Sequence, residues 1–498
     1  MREKDLDILL QTSLPEQPPD QVTAQINPWR KIFHRILIGL ALTSVTFQVF
    51  KLDYILPAIG VLLIFLGSRS LRRENRHLML CWILSILRGT LFGVGLIWNA
   101  FLHPEPLPRQ YEQGFLWLTI AVQLLFCVSL WRGLLAVQKK AGIPHPHARS
   151  AAALFIWSAV LASLSLLQAE IGWMASIGML LAFFCILVCI HRISGSLDEI
   201  GYLIHPAPIH FSDWAVTAAA VVAVGCSMLC GLLFQNQYPM DWTPQPTEIS
   251  AEEKVIYTHL LDLGFPEAVL RDLDPTELTA CANATQVIVK TDAYPFNKGE
   301  EISIYSEGDT AYTDVYSIKE LTVTDIAVQL SREKPVWKIF HHFVWTTQPP
   351  FFGAESIQLW PTFRDLEEGW SPLGDITGRI LYDDANGMTY TAPYYFLGNQ
   401  SFTKNNPFGT ESRTDVFAAF SLPQNGQRQR GYLTYSVREN APKYLINSWI
   451  NYTHQCTPFQ YPAETAMEYQ MRGHWTDDGP FITKQDQFMF HPDDGHIE

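Results

Sequence analysis

Arg88 stands inside an apolar run, with Leu78–Leu87 before it and Gly89–Phe101 after it. A guanidinium at the centre of a bilayer costs roughly 2.5–3.5 kcal/mol on insertion scales, so it must face a bundle interior or a polar partner. Gln123, Asn99, Gln168 and Glu170 are the candidate partners. Arg88, Gln123 and Glu170 together define an intramembrane polar site, read either as a polar pathway or switch or as a buried structural contact. A second chemistry lies in the aromatic load of the C-terminal half, which carries Trp242, Trp337, Trp345, Trp360, Trp370, Trp449 and Trp475. Aromatic rings exposed in loops stack on sugar rings and anchor binding surfaces, although core packing accounts for most of these rings equally well. Trp370 and Trp475 sit beside charged and turn-forming residues and are the expected exposed members of a ligand platform.

The remaining reactive residue types offer less. His341-His342 falls in a strand pattern, so the two rings point to opposite faces and cannot grip one metal together. Asp383-Asp384 and Asp477-Asp478-Gly479 lack the ligand spacing of a calcium loop and read as turns. His145-Pro-His147 reads as a solvated loop, and no zinc-type Cys/His spacing occurs. His-Glu-x-x-His, Gly-x-Ser-x-Gly and a phosphate-cradling Gly-rich loop are all missing from the sequence. No cofactor is implied, and the chain is expected not to be an enzyme. Cys281 and Cys456 are the only cysteines of the C-terminal half, either paired in one disulfide or carrying two thiols.

The elements that must position these residues follow from patterning. Of 498 residues, only 17% are charged, against about 25% in typical soluble domains. Residues 1–236 hold 17 Lys+Arg and 13 Asp+Glu, a net of +4, whereas residues 237–498 hold 18 and 36, a net of −18. An acidic half repels phosphate, so nucleic acid is excluded as a partner. Apolar stretches of spanning length, about 20 residues for a bilayer core of about 30 Å, recur at Ile32–Phe50, Leu52–Gly67, Leu78–Phe101, Phe115–Leu135, Ala151–Gln168, Ile171–Ile190 and Trp214–Phe234. The second is short and holds Pro57. Counting it as a span places every basic cluster on one side: Arg30, Lys31 and Arg35; Arg69, Arg72, Arg73 and Arg76; Arg132, Lys139, Lys140 and Arg149. By the positive-inside rule that side is cytoplasmic, which puts the N-terminus inside and residues 237–498 outside. The first 28 residues lack the apolar core and cleavage site of a signal peptide.

The predicted organisation is a cytoplasmic stub over 1–31, a seven-helix transmembrane domain over 32–236, a linker and helical lead-in over 237–285, and a β-rich extracytoplasmic domain over 286–498. In the lead-in, Ser250-Ala-Glu-Glu253 reads as a capping box and Asp274-Pro275 as a second helix start, together forming a stalk or lid. From Gln286 the apolar period changes to two. Strands are expected at Gln286–Lys290, Glu301–Tyr305, Thr322–Leu330, Val336–Trp345 and Ser356–Trp360. Arg379–Tyr382 and Met388–Thr391 form a hairpin around Asn386-Gly387, and Val416–Leu422 pairs with Tyr432–Val437 around Asn425-Gly426. Short strands without alternating long helices favour an all-β sandwich or jelly roll. A helix near Ala463–Met471 is expected to cover one edge.

A polar N-terminal stub before a membrane bundle and an outer domain resembles transmembrane anti-sigma-type regulators. Asp5–Leu14 with the Arg-rich second loop is similar to uncharacterised multi-spanning membrane proteins of Gram-positive anaerobes. The likeness covers mainly the first 80 residues and departs from anti-sigma factors in its seven spans and in lacking a zinc motif in the stub. It implies a bacterial plasma-membrane protein with a regulatory role and a cytoplasmic partner docking on residues 1–31. The β domain then binds an envelope glycan or protein, with the bundle relaying or anchoring. The alternatives are an anchored envelope-binding or scaffolding protein, and a transporter or assembly factor.

Overall fold

The computed structural model describes residues 28–498 apart from 47–50, 102–108, 168–171, 201, 203, 205–206, 208–210, 235–236, 247–248, 298–299, 306–310, 317–318, 365–368, 407–408, 459 and 474–478. The chain divides into two compact units, Met1–Trp98 with Glu105–Met228, and Asn99–Pro104 with Leu229–Glu498.

The first unit is helical. Helices α1 (Pro28–Ser44), α2 (Leu52–Leu71), α3 (Arg76–Trp98), α4 (Arg109–Lys140), α5 (Arg149–Leu166), α6 (Trp173–Glu199) and α7 (Asp213–Phe234) fall on the seven apolar stretches. Among the described residues, five are long and apolar enough to cross a membrane: α2, α3, Gln113–Lys140 of α4, α5 and α6. Helix α1 has 17 residues and opens on Arg30 and Lys31, and the apolar part of α7 runs over Asp213–Ser227. Each of α1 to α6 packs on the next, and α1 also packs on α6, closing a six-helix ring. Two glycines allow the tightest approach. A Cβ on Gly39 would stand 2.5 Å from the Gly60 carbonyl oxygen, and one on Gly60 would stand 2.7 Å from that of Gly39. The packed core lies toward the basic ends of the helices, at Trp29, Phe33, Ile64, Leu71, Leu78, Leu134 and Ile190. Hydrogen bonds fix that end: the Trp29 indole donates to Tyr202 O at 2.8 Å, and Asn75 caps α3 by accepting from Leu78 N at 2.9 Å. Asp213 holds the start of α7 through Arg35 at 2.8 Å and through Arg69.

The second unit is an antiparallel β domain. Its larger sheet runs β1 (Thr243–Pro244), β10 (Thr389–Ala392), β9 (Thr377–Asp383), β13 (Gln427–Glu439), β6 (Val336–Trp345), β5 (Leu321–Ser331), β2 (Gln286–Tyr294), with β8 (Trp370–Pro372) also on β13. The smaller runs β11 (Phe396–Asn406), β12 (Gly409–Phe420), β7 (Glu355–Trp360), β14 (Ile446–Gln455), β15 (Phe481–Phe490), and β3 (Glu300–Tyr305) pairs with β4 (Ala311–Tyr316). Val323, Ile339, Phe343 and Leu433 of the larger sheet join Ile357, Leu359, Ala418, Ile450 and Phe488 of the smaller in one buried cluster. Two sheets that share one core make a sandwich.

Three expectations are corrected here. Val416–Leu422 and Tyr432–Val437 do not pair: β12 lies between β11 and β7, whereas β13 lies between β9 and β6 in the other sheet. The turn at Gly426, whose N–H donates to Pro423 O at 3.0 Å, therefore crosses between sheets. The lead-in is neither stalk nor lid. Helices α8 (Ala251–Asp262), α9 (Glu267–Leu270) and α10 (Pro275–Ala280) lay Leu260, Phe265, Val269 and Leu278 onto Ile326, Val328, Phe340 and Tyr432. Those strand residues make the outer face of the larger sheet apolar, so it requires a cover. Both helix starts form as read, with the Ser250–Glu253 capping box closed and Asp274 accepting from Thr276 N at 3.0 Å. Finally, α11 (Ala466–Met471) packs on β7, β14, β12 and β11, across the face of the smaller sheet rather than along its edge.

Candidate functional site

Strand alternation gives the outer face of the smaller sheet a row of aromatic and polar side chains. Ile357, Leu359, Ile450 and Tyr452 point into the sandwich, so Gln358, Trp360, Trp449 and Asn451 point out. Trp449 pairs in register with Trp360 on one side and Gln487 on the other. Val416 pairs with Leu359, which sets Asp415 beside Trp360. A row of Asp415, Trp360, Trp449 and Gln487 thus crosses four strands. The next row holds Gln358 and Asn451, and α11 reaches it through Gln470, whose amide donates to Asn451 O at 2.8 Å.

This row is rigid and chemically mixed. The two indoles lie 6.4 Å apart at 55°, each half-buried. The Arg364 guanidinium sits 4.4 Å over the Trp360 ring and reaches Asp415 at 2.7 Å. The second oxygen of buried Asp415 accepts from Gln358 Nε2 at 2.7 Å, and Gln358 Oε1 accepts from Asn451 Nδ2 at 3.2 Å. Gln487 donates to Asn447 Oδ1 at 3.0 Å. Arg364, Asp415, Gln358, Asn451 and Gln487 are thus each bonded to a neighbour, which fixes the guanidinium over the Trp360 ring. Fixed aromatic faces beside planar amides and a guanidinium can stack on the C–H face of a sugar and bond its hydroxyls.

Of the two residues expected at the platform, Trp370 alone lies among the described residues, and it is in the core. Trp370 is 1% exposed. Its indole N–H donates to Leu445 O at 3.1 Å, and it belongs to the sandwich core. The charged neighbours Asp365, Glu367 and Glu368 that mark it as exposed in sequence lie outside the described residues, while the strand itself pairs with β13. Trp475 and Glu170 lie outside the described residues, as does Gln168. In the helical unit, Arg88 and Gln123 are not bonded to one another: Gln123 donates to Cys127 Sγ at 3.7 Å, and buried Arg88 Nη1 and Gln123 Oε1 have no partner among the described residues. Cys281 and Cys456 are not joined in a disulfide.

Three buried ionic clusters escape a reading of the sequence, because their members are far apart in the chain. His341 and His342 do face opposite ways. His341 Nδ1 bonds Asp325 at 2.6 Å and Nε2 bonds Ser448 at 2.8 Å, inside the sandwich. Asp486 belongs to this cluster, taking bonds from Lys290 at 2.9 Å and Tyr294 at 2.6 Å. Burial pushes the Asp325 carboxyl up to about 7 against the pull of His341. Burial also pushes Asp486 up, but bonds from Asp325, Tyr294 and Lys290 outweigh it and hold that carboxyl low. Oδ2 of each has no other partner among the described residues, so a proton resident on Asp325 and shared with Asp486 satisfies both. On the opposite face His342 meets Asp272 at 2.9 Å, and Asp272 also binds Arg430 at 2.8 Å. Burial opposes ionisation of Asp272, yet His342 and Arg430 hold its carboxyl below the usual range. The third cluster is His454 with Glu355 at 2.9 Å, walled by Trp345, 4.8 Å away, Phe296 and Phe352. All three tie strands to strands or to the lead-in. No group of three or more His, Cys, Asp or Glu is arranged to hold a metal ion among the described residues.

No protein family and no curated protein matches the chain. Among solved structures, a heparinase III with methylated lysines aligns over 98% of this chain and 77% of that one, at 8% identity and a TM-score of 0.13. A similarity at that level carries no argument about fold or activity.

Proposed function

We propose that the chain is a non-enzymatic bacterial plasma-membrane protein of seven spans, N-terminus inside, whose extracytoplasmic β sandwich binds an envelope glycan. The half-exposed row Trp360–Trp449, braced by Arg364 and Asp415, is the observation that supports it. Exposed indole faces supply most of the contact energy in such a site, and the fixed polar groups supply orientation. In this reading the bundle anchors the domain and the stub 1–31 offers a cytoplasmic partner a docking segment. The α1 and α7 segments, the two that are short or charged, cross the membrane alongside the other five.

The test is a pull-down of the full chain in detergent with insoluble cell-wall glycan and with soluble envelope polysaccharide. The expected result is retention that drops about tenfold in W360A/W449A, with an unchanged melting profile. Equal retention of the double variant overturns the reading. In-membrane crosslinking of the intact protein and of a form lacking residues 2–28 separates two uses of that binding: a cytoplasmic partner lost with the stub marks a sensor, and envelope components alone mark an anchored binding protein.

A further inference from the structure

Between α5 and α6 the helical unit carries one continuous lateral groove with two chemically different ends. At the basic end a space of about 520 Å³ is lined by His147, Arg149 and Arg192, with Cys185 and Cys189 below them. It continues past Ala153 and Ile186, which line both parts, into a second space of about 510 Å³. There the walls are wholly apolar: Ile156 and Val160 on α5 face Gly178 and Ala182 on α6. Arg149 and Arg192 are exposed and make no ion pair among the described residues. The floor is fixed by Trp157, which stacks on Phe183 at 4.4 Å and donates to Met179 O at 3.1 Å. Small residues on α6 leave the space open; a Cβ on Gly178 would meet nothing within 4 Å.

We infer that this groove is a binding site for an anionic phospholipid, its phosphate held between Arg149 and Arg192 and one acyl chain lying along the apolar walls. The inference rests on the reading of this unit as membrane-embedded. Charge complementarity selects the headgroup, since two exposed guanidinium groups at a membrane surface attract phosphate and repel a cationic or basic partner. Length selects the chain. From Arg149 to Val160 is eleven residues, or about 16 Å at 1.5 Å per residue, which is about half of the ~30 Å hydrocarbon core and so the depth of one leaflet. A second protein helix would fill the apolar part but would leave two arginines facing it. The first amides of α5 add to the attraction, because Ala148 at the N-cap supplies no side-chain acceptor.

The experiment is native mass spectrometry of the full chain, with phosphatidylglycerol, chain-matched phosphatidylcholine and inorganic phosphate added separately. Phosphatidylglycerol is expected to bind at least tenfold more tightly than phosphatidylcholine, and inorganic phosphate not to be retained. Two variants read the two ends of the groove. R149Q/R192Q is expected to abolish the preference for phosphatidylglycerol, and G178L, which fills the apolar part, to cut retention of both lipids with the arginines intact. Equal binding of the two lipids, an unchanged preference in R149Q/R192Q, or a dimer that G178L dissociates would each overturn the proposal. Resistance of the chain to carbonate extraction from membranes, measured in parallel, keeps failure of the groove distinct from failure of the membrane reading.

Discussion

Asp325 and Asp486 meet between the sheets with one proton to share, and the consequence is a pH dependence of stability with a defined sign. An unfolded aspartate titrates near 4, whereas folded Asp325 is pushed up to about 7. The folded state therefore binds the extra proton across that window. The stability this group contributes is full below about 4 and is lost progressively as pH rises toward 7. Asp486, held low, acts in the opposite sense, and its contribution is lost as pH falls below the usual carboxylate range. The D325N variant keeps a neutral donor in place, so chemical-denaturation midpoints measured from pH 4 to 7 should fall less steeply with pH than those of the parent. An identical slope would place the proton elsewhere. Nearby charge marks Trp370 as exposed in sequence, but exposure depends on strand parity: Trp360 and Trp449 occupy the positions that alternate with Ile357, Leu359 and Ile450. The signal was available in Ser356, Gln358 and Trp360, a polar–aromatic series interleaved with aliphatic residues. It was obscured because Ile446–Gln455, with two asparagines, a histidine and a glutamine, does not read as a strand from composition.

At the level of elements, the lead-in and the larger sheet hold each other through Asp272. Its side chain meets His342 and Arg430, and its carbonyl accepts from Arg379 Nη2 at 2.8 Å. Removing it takes one of two carboxylates from buried Arg430, which keeps Asp383 at 2.9 Å, and leaves the buried His342 ring without its partner, a loss of about 1–3 kcal/mol. D272A is expected to lower stability by that order and to expose the α8–α10 segment to limited proteolysis before the sheets. Simultaneous loss of both would show that the lead-in is not a separable layer. The cap at α8 is a smaller term, and S250A should cost about 1 kcal/mol in a denaturant titration. Among the helices of the first unit, the reciprocal contact of Gly39 and Gly60 sets how closely α1 and α2 approach. G60L meets the Gly39 carbonyl and the β-branched Thr43 side chain, each 2.7 Å from the added Cβ, so it should destabilise the helical unit by about 1–3 kcal/mol, read as a lower melting temperature in detergent. Strand partners were the least legible elements. Val416–Leu422 and Tyr432–Val437 flank a good turn sequence, yet the chain changes sheets there. A turn motif reports only local backbone, whereas partner choice follows which sheet offers an apolar face and an open edge.

For the whole molecule, the proposed sidedness gives a direct measurement. In intact cells a membrane-impermeant maleimide should modify Cys456, which is half-buried, but not Cys281, which is buried, until the protein is unfolded. Protection of Cys456 until the cells are opened would reverse the orientation. The division into a helical unit and an antiparallel β domain was determined by the sequence itself, because charge density, spanning-length apolar runs and the change of apolar period at Gln286 are properties of consecutive residues. The opposite facing of His341 and His342 was determined in the same way, by alternation within one strand. Only the tertiary structure decided the rest: that Trp360 and Trp449 lie side by side across two strands, that Trp370 is core, that Asp325 meets Asp486, and that α5 and α6 leave a groove with arginines at its mouth. Each of these brings together residues separated by tens to hundreds of positions, and such pairings follow from how apolar faces are jointly buried, which no local pattern encodes.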